Sequence, residues 1–329
     1  MKQKSSRGGV IVLFVLLLAL GVAWLERNAI YDWTRLRNYQ VSAAATQLAT
    51  DTTMTPAASH LFYVNQPAIQ NKTNFNGSCP NNGGERTIIL GCYHGHETGI
   101  FLYSVSDPQL DGVMQVTAAH ETLHAIYDRL SSKERKYVDG LLVDYYTHDL
   151  HDQRLIDTIA AYKKSEPNDV VNEMHSIFGT EAANLPPALE AYYAKYFSNR
   201  AKVVSFSEQY EEAFSSRRSQ ANGILQQIKN IEQQLTDLKQ QIDDREADLK
   251  AKRQALDTLP RSTQGEVDIY NAQGSIYNNE LADYKSQVIT YNQLVEQHNQ
   301  LIAQYQQIGV EETQLLKELD SRSSSVNSQ

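Results

Sequence analysis

The sequence predicts an α+β protein in which helices outnumber strands. Three observations carry that expectation. Apolar residues recur at three- and four-residue spacing from about residue 111 to residue 200; short β-type runs are confined to residues 61–105; and two heptad series fill the C-terminal third. The order read from these signals is a cytoplasmic N-terminus (1–8), a transmembrane anchor (9–25), a juxtamembrane helix and linker (26–58), an α+β domain (59–200), a coiled-coil helical hairpin (201–320) and a disordered tail (321–329).

Lys2, Lys4 and Arg7 precede Gly8 to Leu25, an uncharged apolar run of 18 residues, which is just enough to cross a hydrocarbon core as a helix. Trp24 sits at its far edge and the leading cations favour a cytoplasmic N-terminus, although Arg27, Arg35 and Arg37 follow on the other side. Gly21-Val22-Ala23 also fits a signal-peptide cleavage site, so the chain is expected either to stay anchored or to be secreted after cleavage. Both readings put the remainder outside the cytoplasm. Glu26 to Thr50 lacks Gly and Pro and is expected to continue as helix, with a linker from Asp51 to Ser59.

The runs Leu61–Val64, Thr87–Leu90 and Ile100–Val105 read as strands, and the Asn- and Gly-rich stretch from Asn71 to Glu85 reads as a long loop. Cys79 and Cys92, the only two cysteines, bracket the loop's end and the second strand. In an oxidising compartment a disulfide between them would pin loop to strand. Asn71-Lys72-Thr73 and Asn76-Gly77-Ser78 match the glycosylation acceptor pattern, a short match that chance often produces.

The sharpest signal is His120-Glu121-Thr122-Leu123-His124, an H-E-x-x-H sequence. On a helix, residues four apart lie one turn above each other. His120 and His124 can both aim imidazole nitrogens at one Zn²⁺ while Glu121 reaches its water. Asp111 is the expected N-cap, and Val113, Val116, His120, Leu123, Tyr127 and Leu130 share one face. Helices are then expected from a Ser131–Glu134 capping box to Tyr146, from Asp152 to Lys164, from Asp169 to Phe178 with Gly179 as its stop, and from Ala188 to Phe197.

A catalytic zinc needs a third protein ligand. The metzincin continuation would require Gly and His where the chain has Tyr127 and Leu130. Asn172-Glu173-Met174-His175, on a short later helix, is the best source of an acidic ligand. With these residues the chain resembles the gluzincin metallopeptidases, the thermolysin-like and HtpX-like zincins, which pair an H-E-x-x-H helix with a Glu ligand on a later helix, commonly preceded by Asn. The resemblance covers about residues 60–200 and implies a small zincin-like domain with one Zn²⁺ held by His120, His124 and Glu173, and Glu121 as general base. It also implies peptide or protein substrates aligned on a strand before the zinc helix, here Ile100–Val105. The family often places Asp four residues after the ligand Glu, where this chain has Ile177. Glu181 is therefore the alternative third ligand, with Asp144 and His148 as more distant ones.

Among the remaining polar residues, His175 is a candidate transition-state stabiliser if its helix is irregular, with a structural histidine as the other reading; Tyr145 and Tyr146 are weaker candidates, and His94 and His96 read as exposed loop residues. Beyond residue 200, Ile224 to Leu259 and Tyr277 to Tyr305 follow a 3.5-residue period, separated by Pro260 to Asp268. Arg245 and Lys252 fill two core positions of the first series, and His298 is a seam residue of the second. An antiparallel hairpin about 50 Å long follows, offering residues 224–305 to a protein partner or to self-association. A net charge of -9 and the lack of a basic stripe with interleaved aromatics argue against nucleic acid. The expectation is a membrane-anchored zinc metallopeptidase acting outside the cytoplasm. The competing expectation is a catalytically silent metal- or partner-binding module on a coiled-coil scaffold.

Overall fold

The computed structural model describes residues 7–80, 89–95 and 99–321, with side chains from Ile11 onward. Described helices dominate: α1 (Arg7–Leu25), α2 (Arg27–Leu36), α3 (Ala43–Asp51), α4 (Pro56–Val64), α5 (Lys72–Ser78), α6 (Val113–Arg129), α7 (Ser132–His148), α8 (Gln153–Ser165), α9 (Val170–Thr180), α10 (Pro187–Tyr193), α11 (Arg200–Thr258) and α12 (Gln264–Leu319). They accompany a small mixed sheet of β1 (Ala68–Gln70), β2 (Gly91–Tyr93) and β3 (Ile100–Tyr103) in the order β1-β3-β2. β3 runs parallel to β1, with Ala68 opposite Phe101, and antiparallel to β2, with Cys92 opposite Phe101. The expected α+β class is met in part: the chain is mostly helical, with a small three-stranded mixed sheet and a long C-terminal helical hairpin.

Several boundaries differ, each for a local reason. Leu61–Val64 is the last turn of α4 rather than a strand, because Thr55 caps the Ala58 amide and Pro56 opens the helix. The helix expected through Thr50 breaks after Leu36 and restarts behind Ser42, whose hydroxyl accepts from the Ala45 amide. Asn71 likewise caps α5 inside the expected loop. Of the expected strand Thr87–Leu90, residues 87 and 88 lie outside the described residues, and pairing begins at Gly91. Gly112, not Asp111, occupies the N-cap of α6; the Asp111 carboxylate accepts from the Gly112 amide and from Gln209 instead. The expected capping box of Ser131 and Glu134 is present.

Two compact units divide the chain: residues 1–213 with 315–329, and Phe214–Gln314. In the first, Leu123, Ile126, Leu142, Ile159, Phe178 and Tyr193 form a core among α6 to α10. A second cluster joins Ile100 and Leu102 of β3 to Phe62 of α4, Leu48 of α3 and Ala118 of α6. Both clusters hold α6 from opposite sides. Gly179 does not end α9: it lies inside the helix, where a Cβ would collide with Leu123 of α6 and come within 2.8 Å of the Tyr193 ring. Its missing side chain is what lets α9 lie close against α6. The first unit also holds Ser321, which was expected to open a disordered tail. It is buried, with its hydroxyl donating to the Ile89 carbonyl at 2.5 Å and its own carbonyl accepting from Asn76 at 2.5 Å.

The second unit is an antiparallel pair of helices sealed by Ile228, Ile231 and Leu301. Arg245 and Lys252, the two cations in heptad core positions, pair across the hairpin with Asp283 at 3.4 Å and Glu280 at 2.6 Å. Charge pairs therefore replace apolar contacts at those two layers. His298 faces Glu232 across the seam at 3.5 Å. The α11 segment from residue 214 to 258 is about 70 Å long at the α-helical rise, longer than the expected arm.

No single described helix is long and apolar enough to cross a membrane, but Ile11–Leu25 and Arg27–Leu36 together pass by length and composition as a pair bent by 67°. The apolar side chains of that first segment are exposed along its length.

Candidate metal centre

His120, Glu121 and His124 lie on α6, and Glu173 lies on the first turn of α9. Packing of α9 on α6 brings His120 Nε2 to 3.6 Å from Glu173 Oε2, and His124 Nε2 to 3.4 Å from Glu173 Oε1. One nitrogen from each histidine and one carboxylate oxygen fall within 4.8 Å of one another. The imidazole rings stand edge to face at 4.8 Å. Ligands 2.0–2.1 Å from a tetrahedral zinc are spaced about 3.3 Å apart, close to these separations.

The protonation pattern sharpens the fit. Asp169 can only accept, so the Asn172 amide nitrogen turns to it, at 3.2 and 3.3 Å from its two oxygens. The Asn172 carbonyl oxygen then faces His124 Nδ1 at 3.0 Å and takes its proton as a hydrogen bond. The neutral ring is left with a bare lone pair on Nε2, pointing at Glu173. Burial lowers the His120 pKa to about 4, with Glu181 opposing the shift. It also lowers His124, aided by His120 and opposed chiefly by Glu173. Both rings are therefore neutral near pH 7.

Glu173 is pushed above the usual carboxylate range by burial, against the pull of His124, and its Oε2 is buried without a hydrogen-bond donor. One ring nitrogen from each histidine and a Glu173 carboxylate oxygen thus converge on one point. A cation at that point satisfies all of them, and the donor set of two imidazoles and a carboxylate suits zinc.

Glu121 points into the same cleft. Its pKa is raised well above the usual value, first by burial and then by the charge of Glu173; a cation held beside Glu173 would oppose that shift. The cleft has a volume of about 430 Å³ and is walled by residues 89–93, α6, α8, α9 and Tyr210. Gly91 of β2 lies so close over α6 that a Cβ there would come 2.6 Å from Thr117 Cγ2 and 2.8 Å from Glu121 Cγ. The space above the carboxylate belongs to a strand without a side chain at that point.

The other expected residues separate clearly. Glu181 lines the same cleft but is held by Arg154 at 2.5 Å and does not belong to the cluster of His120, His124 and Glu173. Asp144 and His148 pair with each other at 3.0 Å on an exposed face of α7. His175 does not line the cleft. It is fully buried among Tyr127, Tyr192 and Tyr193, bonded through Nε2 to the Tyr192 hydroxyl at 2.8 Å, and burial drops its pKa to about 3. It is thus a neutral core histidine rather than a group positioned for a transition state. The Tyr145 hydroxyl donates to the Asn184 carbonyl, and Tyr145 and Tyr146 stay outside the cleft. His94 is exposed and bonds the Ser78 carbonyl at 2.8 Å, while His96 lies outside the described residues.

Cys79 and Cys92 form a disulfide that ties the end of α5 to β2. β3 pairs on both sides and lies in the middle of the sheet, so it cannot align a substrate as expected; among the described residues β2 is an edge strand beside the cleft. Sequence reasoning missed Asn172 as the partner of His124, Gly91 as the roof over Glu121, and Arg154 as the guanidinium lining the cleft. The Asn-Glu pair was visible, but the contact of its Asn 48 residues away was not. No protein-family model, curated protein or solved structure matches the chain.

Proposed function

We propose that the chain is a zinc-dependent peptidase of gluzincin type, anchored by its N-terminal helix with the cleft outside the cytoplasm. The observation that carries this reading is the convergence of His120, His124 and Glu173, whose Oε2 is buried without a donor, with Glu121 beside them in one cleft. The helices packed around that cleft, with the small sheet at its edge, are consistent with a compact zincin-like domain. The disulfide fits an oxidising compartment, and Lys2, Lys4 and Arg7 before the apolar run fit a cytoplasmic N-terminus.

His120, His124 and Glu173 would hold the ion, which supplies Lewis acidity: it brings the pKa of a water to about 7 and polarises a carbonyl. Asn172 fixes the tautomer of His124 so that its Nε2 stays free to ligate. Glu121 takes the proton from the attacking water and returns it to the leaving amine. β2, an edge strand among the described residues, offers backbone groups to an extended peptide, and Gly91 lets it pack closely over Glu121.

A scaffold that binds metal or a partner without cutting is the second reading, favoured by a hairpin unit of its own, Phe214–Gln314. Glu121 discriminates between the two, since metal retention needs only the ligands. The test is cleavage of an unfolded protein by purified chain: a chelator abolishes it and added zinc restores it. Indifference to the chelator, or no cleavage at one zinc per chain, contradicts the peptidase reading.

A further inference from the structure

The juxtamembrane helix α2 has two faces with different partners. One is clamped to the folded domain. Asp32 reaches Arg129 at 2.6 Å and His60 at 2.9 Å, the Arg35 Nε donates to the Val64 carbonyl at 3.1 Å, and Gln66 donates to the Arg35 carbonyl at 2.8 Å. Arg129 is the last residue of α6, so the helix bearing His120 and His124 is itself tied to α2. His120 lies nine residues back along it, about 14 Å at the helical rise.

The opposite face carries Arg27, Ile30, Trp33 and Arg37 at three- and four-residue spacing. Ile30 is 47% and Trp33 62% exposed, large apolar groups left uncovered by the other described residues. The Arg37 guanidinium lies over the Trp33 ring at 5.3 Å, and that of Arg27 over Trp24 at 5.1 Å. Within α2 itself the one carboxylate, Asp32, is turned inward and paired with Arg129, so Arg27 and Arg37 face outward without an acidic neighbour on their own helix beyond the N-cap Glu26.

Tryptophan at headgroup depth, with arginines reaching phosphates, is the make-up of a helix lying in a bilayer interface. The 67° bend between α1 and α2 supplies the geometry: if the apolar α1 crosses the bilayer, α2 turns away from its axis toward the membrane plane. The exposed face continues directly from Trp24 and Leu25 at the end of α1.

We propose that the Arg27–Ile30–Trp33–Arg37 face of α2 rests in the phospholipid headgroup layer and, through the Asp32–Arg129 ion pair, holds the catalytic cleft at a fixed height and orientation above the membrane. The proposal rests on the anchor reading of α1.

The chain's two tryptophans make the test direct, because Trp24→Phe leaves Trp33 as the sole indole and Trp33→Phe leaves Trp24. Each full-length variant is reconstituted into phosphatidylcholine–phosphatidylglycerol vesicles carrying quencher-labelled acyl chains. Trp33 is expected to be quenched at least about twofold more by a shallow label than by a deep one, and to be protected from aqueous iodide. Arg27→Gln with Arg37→Gln should raise its iodide quenching about twofold or more. Trp33 open to iodide and untouched by lipid labels overturns the proposal. So does Trp33 shielded from both, which would mean that a protein surface covers it. Trp24 separates the causes: if lipid quenches Trp24 but not Trp33, only the seat of α2 fails, and if lipid quenches neither, the anchor falls with it.

Discussion

The Asn172 side chain bridges His124 and Asp169, accepting from the imidazole at 3.0 Å and donating to the carboxylate at 3.2 and 3.3 Å. This chain of donors and acceptors has one self-consistent direction, and it ends with the His124 lone pair facing Glu173. Asn172→Ala should therefore leave all three ligands in place yet weaken zinc binding by about 10- to 100-fold, measured by competition with a chelating dye. An unchanged affinity would mean that the tautomer is set by something else.

Gly91 presses β2 onto the helix that carries the general base. Gly91→Ala forces a methyl to within 2.8 Å of Glu121 Cγ, so strand or carboxylate must move. Zinc content should stay at one per chain while kcat falls about 100-fold, because a displacement near 1 Å misplaces the base. Wild-type kcat in this variant would mean that the strand gives way and the carboxylate keeps its place.

Gly179 sets the spacing of α9 on α6. Gly179→Ala meets Leu123 and the Tyr193 ring, and should cost about 1–3 kcal/mol of stability and loosen zinc binding in the same variant. Chemical denaturation together with metal titration reads both effects. A stability loss with undiminished zinc affinity would show that Glu173 reaches the site independently of helix spacing.

His175 makes stability depend on acid. Its folded pKa, about 3, lies below the unfolded value near 6.5, so the unfolded chain binds the extra proton. The stabilisation is complete above pH 6.5 and erodes as pH falls from 6.5 toward 3. His120, at about 4, adds a similar loss between 6.5 and 4 in the metal-free chain. In denaturation curves across this range, His175→Phe should flatten the slope by about one proton, and an unchanged slope refutes the assignment.

What could be read from the chain alone divides by the distance over which a signal acts. His120, Glu121 and His124 were legible because one helical turn sets their relation, and Ser131 with Glu134 for the same reason. Glu173 came from the local Asn-Glu pattern on a short helix. The role of Asn172, the roof at Gly91 and the capture of Glu181 by Arg154 depend on elements brought together by folding, so no spacing announced them. Leu61–Val64 misled because four apolar residues suit a strand and the end of a helix equally; the Thr55-Pro56 start upstream held the answer. Ile100–Val105 was recognisable as a strand, but its place in the sheet's middle was not, since strand order is not written in strand composition.

The central claim is that His120, His124 and Glu173 hold zinc for a reaction in which Glu121 moves the proton. The most direct measurement compares the wild-type chain and Glu121→Gln for zinc content and for cleavage of an unfolded protein in the same preparation. The account predicts one zinc per chain in both and a fall in cleavage of at least about 1,000-fold in the variant. Cleavage by Glu121→Gln at close to the wild-type rate would contradict it.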